Sequence, residues 1–403
     1  GLFKNRLKSI KYYNLAAKLK NQQALMRLAT FYYNEKDYIK AKQYFEFAAD
    51  LNNSEALCNL GSLYFEGYGV KRDYLIAQKY YEKSIKIDNN LNSLFNLALL
   101  YEKGYGVKQD YSIARKYYEL AGDQNDSASL LKLGCFYEQG LGVDKDYKKA
   151  NEYYEAAANL NNSDALFNLG NCYYEGFGVD KDFVKARYYF KLAAKQNHLI
   201  ALYQLGVFYE KGLGVDQSYS TALKYYKLSS LGGNDDATLM LGNLYFHGFG
   251  CKKDYFLALE FFLKSAMKSN ANAFYNIGLM FKNGLAVRKD YLKANEYFET
   301  AASLNFSKAY VAIGDLYKHG LGFNQDYIKA KEKYKLAANL DDDDAYLNLG
   351  SLYYNGFGVV KDILRSKYYF ELAAKKGNSD ALFNLGLMYY NGIGVEKDLI
   401  KAL

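Results

Sequence analysis

Between Ala165 and Asn197 the apolar positions fall into two short periodic runs separated by a glycine turn. In the first run Ala165, Leu166, Leu169, Gly170 and Tyr173 share one arc when the chain is stepped at about 100° per residue, which predicts an amphipathic helix, helix A. Gly176-Phe177-Gly178 then breaks the period, because glycine takes positive φ without a steric penalty and so ends a helix and turns the chain. Asp182 follows as an N-cap, its carboxylate placed to accept from free N–H groups of the next turn. Phe183, Ala186, Tyr189, Phe190, Ala193 and Ala194 form a second apolar stripe, helix B. One hairpin cannot bury both stripes, so the unit requires copies of itself stacked beside it.

The copies fill the chain. The small residue of helix A recurs as Gly61, Ala98, Gly134, Gly170, Gly206, Gly242, Gly278, Gly314, Gly350 and Gly386; after one step of 37 every step is 36 residues. The extra residue lies in the turn between Ile87 and Ser93. The N-cap follows twelve residues after the small one as aspartate in every copy except Ser218, which also caps. An earlier unit, Ala24 to Asn53, is shorter and lacks the G-x-G turn, and residues 9–18 match helix B alone. Paired aromatics on helix B, such as Tyr80-Tyr81 and Phe261-Phe262, face the Gly and Ala hollows. A mid-helix glycine costs about 1 kcal/mol relative to alanine, so its recurrence points to close helix contact. The pattern predicts an all-α array of about twenty-two helices, about eleven repeats over residues 1–403 in one elongated domain. It begins and ends within a repeat, so the array is expected to continue past both ends.

The series Ala-x3-Leu-Gly-x2-Tyr-x2-Gly-x-Gly-Val, followed by Asp, Ala, Tyr-Tyr and Ala-Ala at a 36-residue step, resembles the Sel-one-like repeat family, a branch of the tetratricopeptide (TPR) superfamily, over nearly the whole chain. The resemblance implies a right-handed α-solenoid of stacked antiparallel hairpins with helix A on the concave surface. It also implies a non-catalytic adaptor for other proteins or peptides, the role of family members in endoplasmic-reticulum degradation ligases, chitin synthase regulation and bacterial engagement of host proteins. A secreted bacterial branch linked to penicillin binding and hydrolysis carries a disulfide in each repeat, and this chain departs from that pattern. The alternatives to an adaptor are a regulatory segment of a larger enzyme, such as a kinase fusion, and a weak β-lactam-type hydrolase.

Composition narrows the partners. The net charge is +8, but basic and acidic residues interleave, which describes a solvated surface and argues against nucleic acid. No run of about 18 apolar residues is present for a membrane span. No secretory signal is visible, but Gly1 is not a start methionine, so the compartment stays open, with the cytoplasm favoured over the endoplasmic-reticulum lumen or secretion. Cys58, Cys135, Cys172 and Cys251 occupy different repeat positions without metal or redox spacing and are expected to be buried free thiols. His198, His247 and His319 have no ligand or triad partner in sequence and are expected to be solvated, so no metal, cofactor or catalytic residue is assigned. Asp341 to Asp344 are expected to serve a helix N-terminus. The G-x-G turns follow a helix rather than a strand and are not phosphate loops. N-x-S sequons at Asn52, Asn125, Asn161 and Asn305 fall between repeats, where Asn suits the turn and Ser is expected to cap helix A.

The candidate site lies on the face of helix A opposite the buried arc. Two residues before the small one, the chain carries Asn59, Asn96, Asn168, Gln204, Asn276, Asn348 and Asn384, interrupted by Lys132, Met240 and Ala312. A primary amide both donates and accepts, so a column of them can grip successive backbone amides of an extended peptide without reading its side chains. The position resembles the asparagine ladder of some superhelical TPR proteins. Contact with water or a neighbouring helix is the other use of these amides, and both readings stay open. The position after the glycine alternates between apolar (Leu99, Val207, Leu279, Leu387) and polar (Ser62, Asn171, Asn243, Asp315, Ser351) residues, and cover by the next repeat is the favoured reading.

Overall fold

Asp182 accepts from the backbone N–H groups of Val184 and Lys185, each at 2.9 Å, and the same cap opens the B helices that follow Asp73, Asp110, Asp146, Ser218, Asp254, Asp290, Asp326 and Asp362. The computed structural model describes residues 2–398 and 400, with side chains from residue 8 onward. Among them are 22 α-helices and no strand. The first eleven are α1 (Leu2–Lys18), α2 (Gln22–Asn34), α3 (Tyr38–Ala49), α4 (Ser54–Glu66), α5 (Tyr74–Asp88), α6 (Leu91–Lys103), α7 (Tyr111–Gly122), α8 (Ser127–Gln139), α9 (Tyr147–Asn159), α10 (Ser163–Glu175) and α11 (Phe183–Lys195). Then come α12 (Leu199–Lys211), α13 (Tyr219–Leu231), α14 (Asp235–His247), α15 (Tyr255–Ala266), α16 (Ala271–Asn283), α17 (Tyr291–Ser303), α18 (Ser307–His319), α19 (Tyr327–Asn339), α20 (Asp343–Asn355), α21 (Ile363–Lys375) and α22 (Ser379–Asn391). Even-numbered helices are A and odd-numbered helices are B. The chain forms two compact units, one running to Ala201 and the other from Leu202. Within each, successive helices pack in chain order, A on B and B on the next A, as in a solenoid.

The repeated glycines meet the repeated rings. A Cβ on Gly170 would stand 2.5 Å from Cε1 of Phe190, and one on Gly314 would stand 2.5 Å from Cε1 of Tyr334. A hydrogen at that position is therefore what lets helices A and B close over a large buried ring. Outside this core, a second ring pair crosses several hairpins, as with Tyr137 and Tyr153, Tyr173 and Tyr189 and Tyr209 and Tyr225, each stacked at 5.6 Å. Where helix B carries a lysine as its third residue, that lysine covers the A-helix ring, Lys149 over Tyr137 at 4.4 Å and Lys185 over Tyr173 at 5.1 Å.

The G-x-G turn does more than reverse the chain. Gly176 ends α10 in the left-handed region at φ +83°, while Gly178 (φ +69°) lies so close to the preceding repeat that a Cβ would be 2.5 Å from the carbonyl carbon of Tyr147. The residue between them stacks on that same tyrosine, Tyr147 and Phe177 at 4.8 Å, and Tyr327 and Phe357 do likewise at 4.8 Å. The turn is thus an inter-repeat contact.

Two expectations are corrected. Helix A is not capped by the sequon serines: Asn53, Asp126 and Asn162 cap α4, α8 and α10, and Ser54, Ser127 and Ser163 are their first helical residues. The sequon asparagines instead take the left-handed conformation, Asn52 at φ 58° and Asn161 at φ 59°, which sets the cap one residue earlier. His198 is not solvated. Its side chain is 12 % exposed, with Nε2 3.2 Å from Asp164 and Nδ1 accepting from the Ala201 N–H at 3.1 Å. His247 and His319 are exposed. Among the four acids at 341–344, Asp342 caps α20 through the Ala345 N–H, and Asp343 and Asp344 stand in its first turn.

Candidate functional site

A side-chain cap and a closing αL glycine bound α4, α6, α8, α10, α14, α16, α20 and α22, so the same register recurs along the A helices. Asn59, Asn96, Asn168, Gln204, Asn276, Asn348 and Asn384 all stand in that register, and all seven are half-buried. They are partly covered instead of projecting fully from an open face. Three reach back into the array. Asn276 donates to Asn243 Oδ1 at 3.2 Å, Lys318 donates to Asn348 Oδ1 at 3.0 Å, and Asn96 contacts the Tyr81 hydroxyl. Asn348 also donates to the carbonyl of Asp344 at 3.0 Å. Asn59, Asn168, Gln204 and Asn384 carry no side-chain hydrogen bond to another protein group among the described residues. Lys132, which interrupts the column, bridges to Glu102 Oε1 of the preceding A helix at 3.2 Å.

The position after the glycine is half-buried in the copies from Ser62 to Ser351, and Leu387 is exposed. In unit 2, Asn384 and Leu387 line a hollow of about 220 Å³ with Ser351, Tyr354 and Asn355.

A row of tyrosine–carboxylate pairs also borders this face, and the sequence reading missed it. The hydroxyl of buried Tyr118 donates to Glu102 Oε2 at 2.7 Å, Tyr154 to Glu138 Oε2 at 2.6 Å, Tyr226 to Glu210 Oε2 at 2.5 Å and Tyr334 to Asp315 Oδ1 at 2.7 Å. Burial first, then the neighbouring carboxylates and, at Tyr154, the Cys135 thiol, push these phenols far above their ordinary value, so they remain donors. Glu102 is held below the ordinary carboxylate value: burial raises it, but Lys103, Tyr118 and Lys132 together outweigh burial. The signal lay in the repeats themselves. Where helix B carries Phe190, Phe262, Phe298 or Phe370 in place of the tyrosine, helix A has no acid four residues or one residue after its glycine.

The thiols are free, with Cys58 and Cys172 buried and Cys135 and Cys251 partly so. Burial, then the charge of Glu138, pushes Cys172 up to about 12, the opposite of an activated nucleophile. No group of three or more His, Cys, Asp or Glu side chains among the described residues is arranged to hold a metal ion. No helix among them is long and apolar enough to cross a membrane.

A model of the Sel1 repeat family matches the chain in twelve consecutive segments, residues 1–21, 22–53, 54–89 and nine more that run from 91 to 403. The chain belongs to the Sel1 repeat family. No protein of curated function matches it. Among solved Sel1-type structures, a protective antigen present in uropathogenic Escherichia coli strains and displaying an SLR fold is 29 % identical over 98 % of this chain and 85 % of its own, with a TM-score of 0.84. A Sel1 repeat protein from Oxalobacter formigenes is 26 % identical over 76 % of this chain and 90 % of its own, with a TM-score of 0.62. The Sel1 fold is a repeat scaffold for protein interaction, and Sel1 solenoids are in general non-catalytic.

Proposed function

We propose that the chain acts without catalysis as a scaffold whose A helices hold an extended segment of a partner protein along the amide column. The observation that carries this reading is the state of Asn59, Asn168, Gln204 and Asn384. They are half-buried amides in one register with no partner in the protein among the described residues. Partly buried polar groups are normally satisfied, and a peptide backbone supplies both the donor and the acceptor that an amide matches. Neighbouring helices in a stack lie about 10 Å apart, close to three residues of extended chain at about 3.3 Å each. The amides can keep step with such a peptide within each unit. Asn276 and Asn348 tie their A helices to the preceding ones, and Asn96 ties α6 to Tyr81 of the B helix α5, so these three help to keep the spacing that the others use.

The test begins with peptides selected from a displayed random library on the intact chain. A variant with Asn59, Asn168, Gln204 and Asn384 changed to alanine is expected to stay folded and to lose them. Each net hydrogen bond is worth about 1 kcal/mol, so single changes should weaken binding about fivefold and the four together should abolish it. Full affinity in the folded variant contradicts the ladder. Non-catalytic action is tested by assaying the pure chain for β-lactam hydrolysis, where sustained turnover would overturn it.

A further inference from the structure

The interleaving of charge does not extend to the first 34 residues. Of the 52 basic and 44 acidic residues in the chain, seven basic and no acidic ones fall in residues 1–34, which leaves 45 against 44 for the rest. Nearly all of the net charge of +8 therefore belongs to the segment that forms α1 and α2. Such an asymmetry points to an anion as the species this segment meets. The change is also positional. Directly after the paired aromatics, six B helices carry a glutamate, namely Glu46, Glu82, Glu119, Glu155, Glu299 and Glu371, whereas α1 carries the neutral Asn14.

Asn14 borders a hollow of about 480 Å³ between α1, α2 and α3, a volume in the range of small-ligand sites. Ala17, Leu25, Tyr44, Phe47 and Leu51 give it apolar walls. Polar groups on these walls are already bonded within the protein. The Tyr44 hydroxyl donates to Asn14 Oδ1 at 2.9 Å, the Asn14 amide donates to the Ile10 carbonyl at 2.9 Å, and the Leu51 carbonyl accepts from Gln22 at 2.6 Å. A ligand body rich in hydroxyls or amides would give up its water there without replacement, so the hollow suits hydrocarbon. Exposed Lys18 and Lys20 border it, with exposed Asp50 from the end of α3. None of these three is in an ion pair among the described residues, so the border carries two positive charges against one negative.

We propose that this hollow binds a single-chain carboxylate of the fatty-acid class, its hydrocarbon against the apolar walls and its carboxylate at Lys18 and Lys20. An alcohol of the same chain lacks the charge that the lysines meet, and an ammonium amphiphile brings a like charge to them. The next pair of B helices, α3 and α5, shows what confines the site to α1. There Glu46 takes the place of Asn14, bridges to Lys42 at 2.7 Å and brings its charge to bear on Tyr80. At the place of Ala17, α5 carries the larger Ile85. The fold thus already accommodates both exchanges elsewhere in the array. No amide of the column borders the hollow, so peptide binding and carboxylate binding fail independently.

Titration calorimetry of the full chain with dodecanoate tests the proposal. One equivalent should bind saturably, and decanoate should bind about tenfold more weakly because two fewer methylenes are buried. Dodecanol and dodecyltrimethylammonium should each bind about fivefold or more weaker than dodecanoate. Lys18→Gln with Lys20→Gln, which changes exposed side chains only, should weaken dodecanoate about fivefold and leave dodecanol as it was. Asn14→Glu should weaken dodecanoate at least as much. Ala17→Ile, which fills the hollow, should weaken dodecanoate and dodecanol alike by about tenfold or more while the helical circular dichroism is kept. Absence of saturable dodecanoate binding overturns the proposal. Unchanged affinity in the lysine variant or in the folded Ala17→Ile variant does so too, as does equal affinity for dodecanoate and dodecanol. Sedimentation with phosphatidylserine vesicles, or capture of an acidic peptide, by a chain that takes up no dodecanoate overturns it in favour of a bilayer or a protein partner.

Discussion

Gly170 shows how little freedom the repeat leaves a single residue, because its missing Cβ is filled by the ring of Phe190 at 2.5 Å. Gly170→Leu should therefore cost about 3 kcal/mol or more, read as a loss of melting temperature, since it forces apart two packed helices. Lys181→Leu, on the exposed turn, gives up only the contact of Lys181 with Tyr174 and Phe183 at 5.5 and 5.2 Å, and should cost no more than about 1 kcal/mol. Equal melting temperatures for the two variants would contradict the assignment of the glycine to a helix contact. Glu102 gives a pH signature. Its carboxyl is held below the ordinary 4.5 by Lys103, Tyr118 and Lys132 against the opposing effect of burial. A folded value below the unfolded one adds stability that is fully present above the unfolded value and is lost as pH falls through the folded one. Glu102→Gln should lower stability at neutral pH by about 1–3 kcal/mol and flatten the loss below about pH 5, as measured by urea midpoints across that range. Parallel acid limbs for the two proteins would show that Glu102 is not the group responsible.

At the scale of the helix, each cap is a local device, and the sequence could be read for it directly. Asp182 reaches N–H groups only two and three residues ahead. Asp182→Ala should destabilise the array by about 1 kcal/mol, while Asp182→Ser should restore most of it, as Ser218 does naturally in its own repeat. A shift in melting temperature that serine fails to rescue would point to lost charge instead of a lost cap. The helix positions, the glycine hollow and the register of the amide column were legible because each depends on a period within about twenty residues. The caps of helix A were misplaced by one position because both Asn and Ser cap well. What decides between them is the left-handed turn residue, such as Asn161 at φ 59°. The half-burial of the amides and the bond from Asn276 to Asn243 were not legible, because they depend on how closely one A helix approaches the next. Spacing along the chain does not state that distance. The tyrosine–carboxylate pairs lay between these cases: Tyr154 and Glu138 are 16 residues apart and their pairing is written in the contrast between tyrosine and phenylalanine repeats, once those repeats are compared.

For the whole molecule, the passage between the two compact units falls at Ala201–Leu202, inside α12 (Leu199–Lys211). A helix is not a linker, and the 36-residue step runs through this point unchanged. We therefore propose that the chain is a single repeat domain, which should unfold in urea in a single transition whose slope matches the surface of the full chain. Two resolved transitions of half that slope would mark separate domains. A partner held along the A helices would engage the column wherever the array presents it, and the side-chain amides themselves can report this. The most direct measurement is a nitrogen–proton spectrum of the side-chain NH2 groups of Asn and Gln, recorded with and without a library-selected peptide. The resonances of Asn59, Asn168, Gln204 and Asn384 should move on binding, while those of the turn residues Asn52, Asn161 and Asn305 stay in place. A saturating peptide that leaves the four column resonances unmoved would contradict the amide ladder.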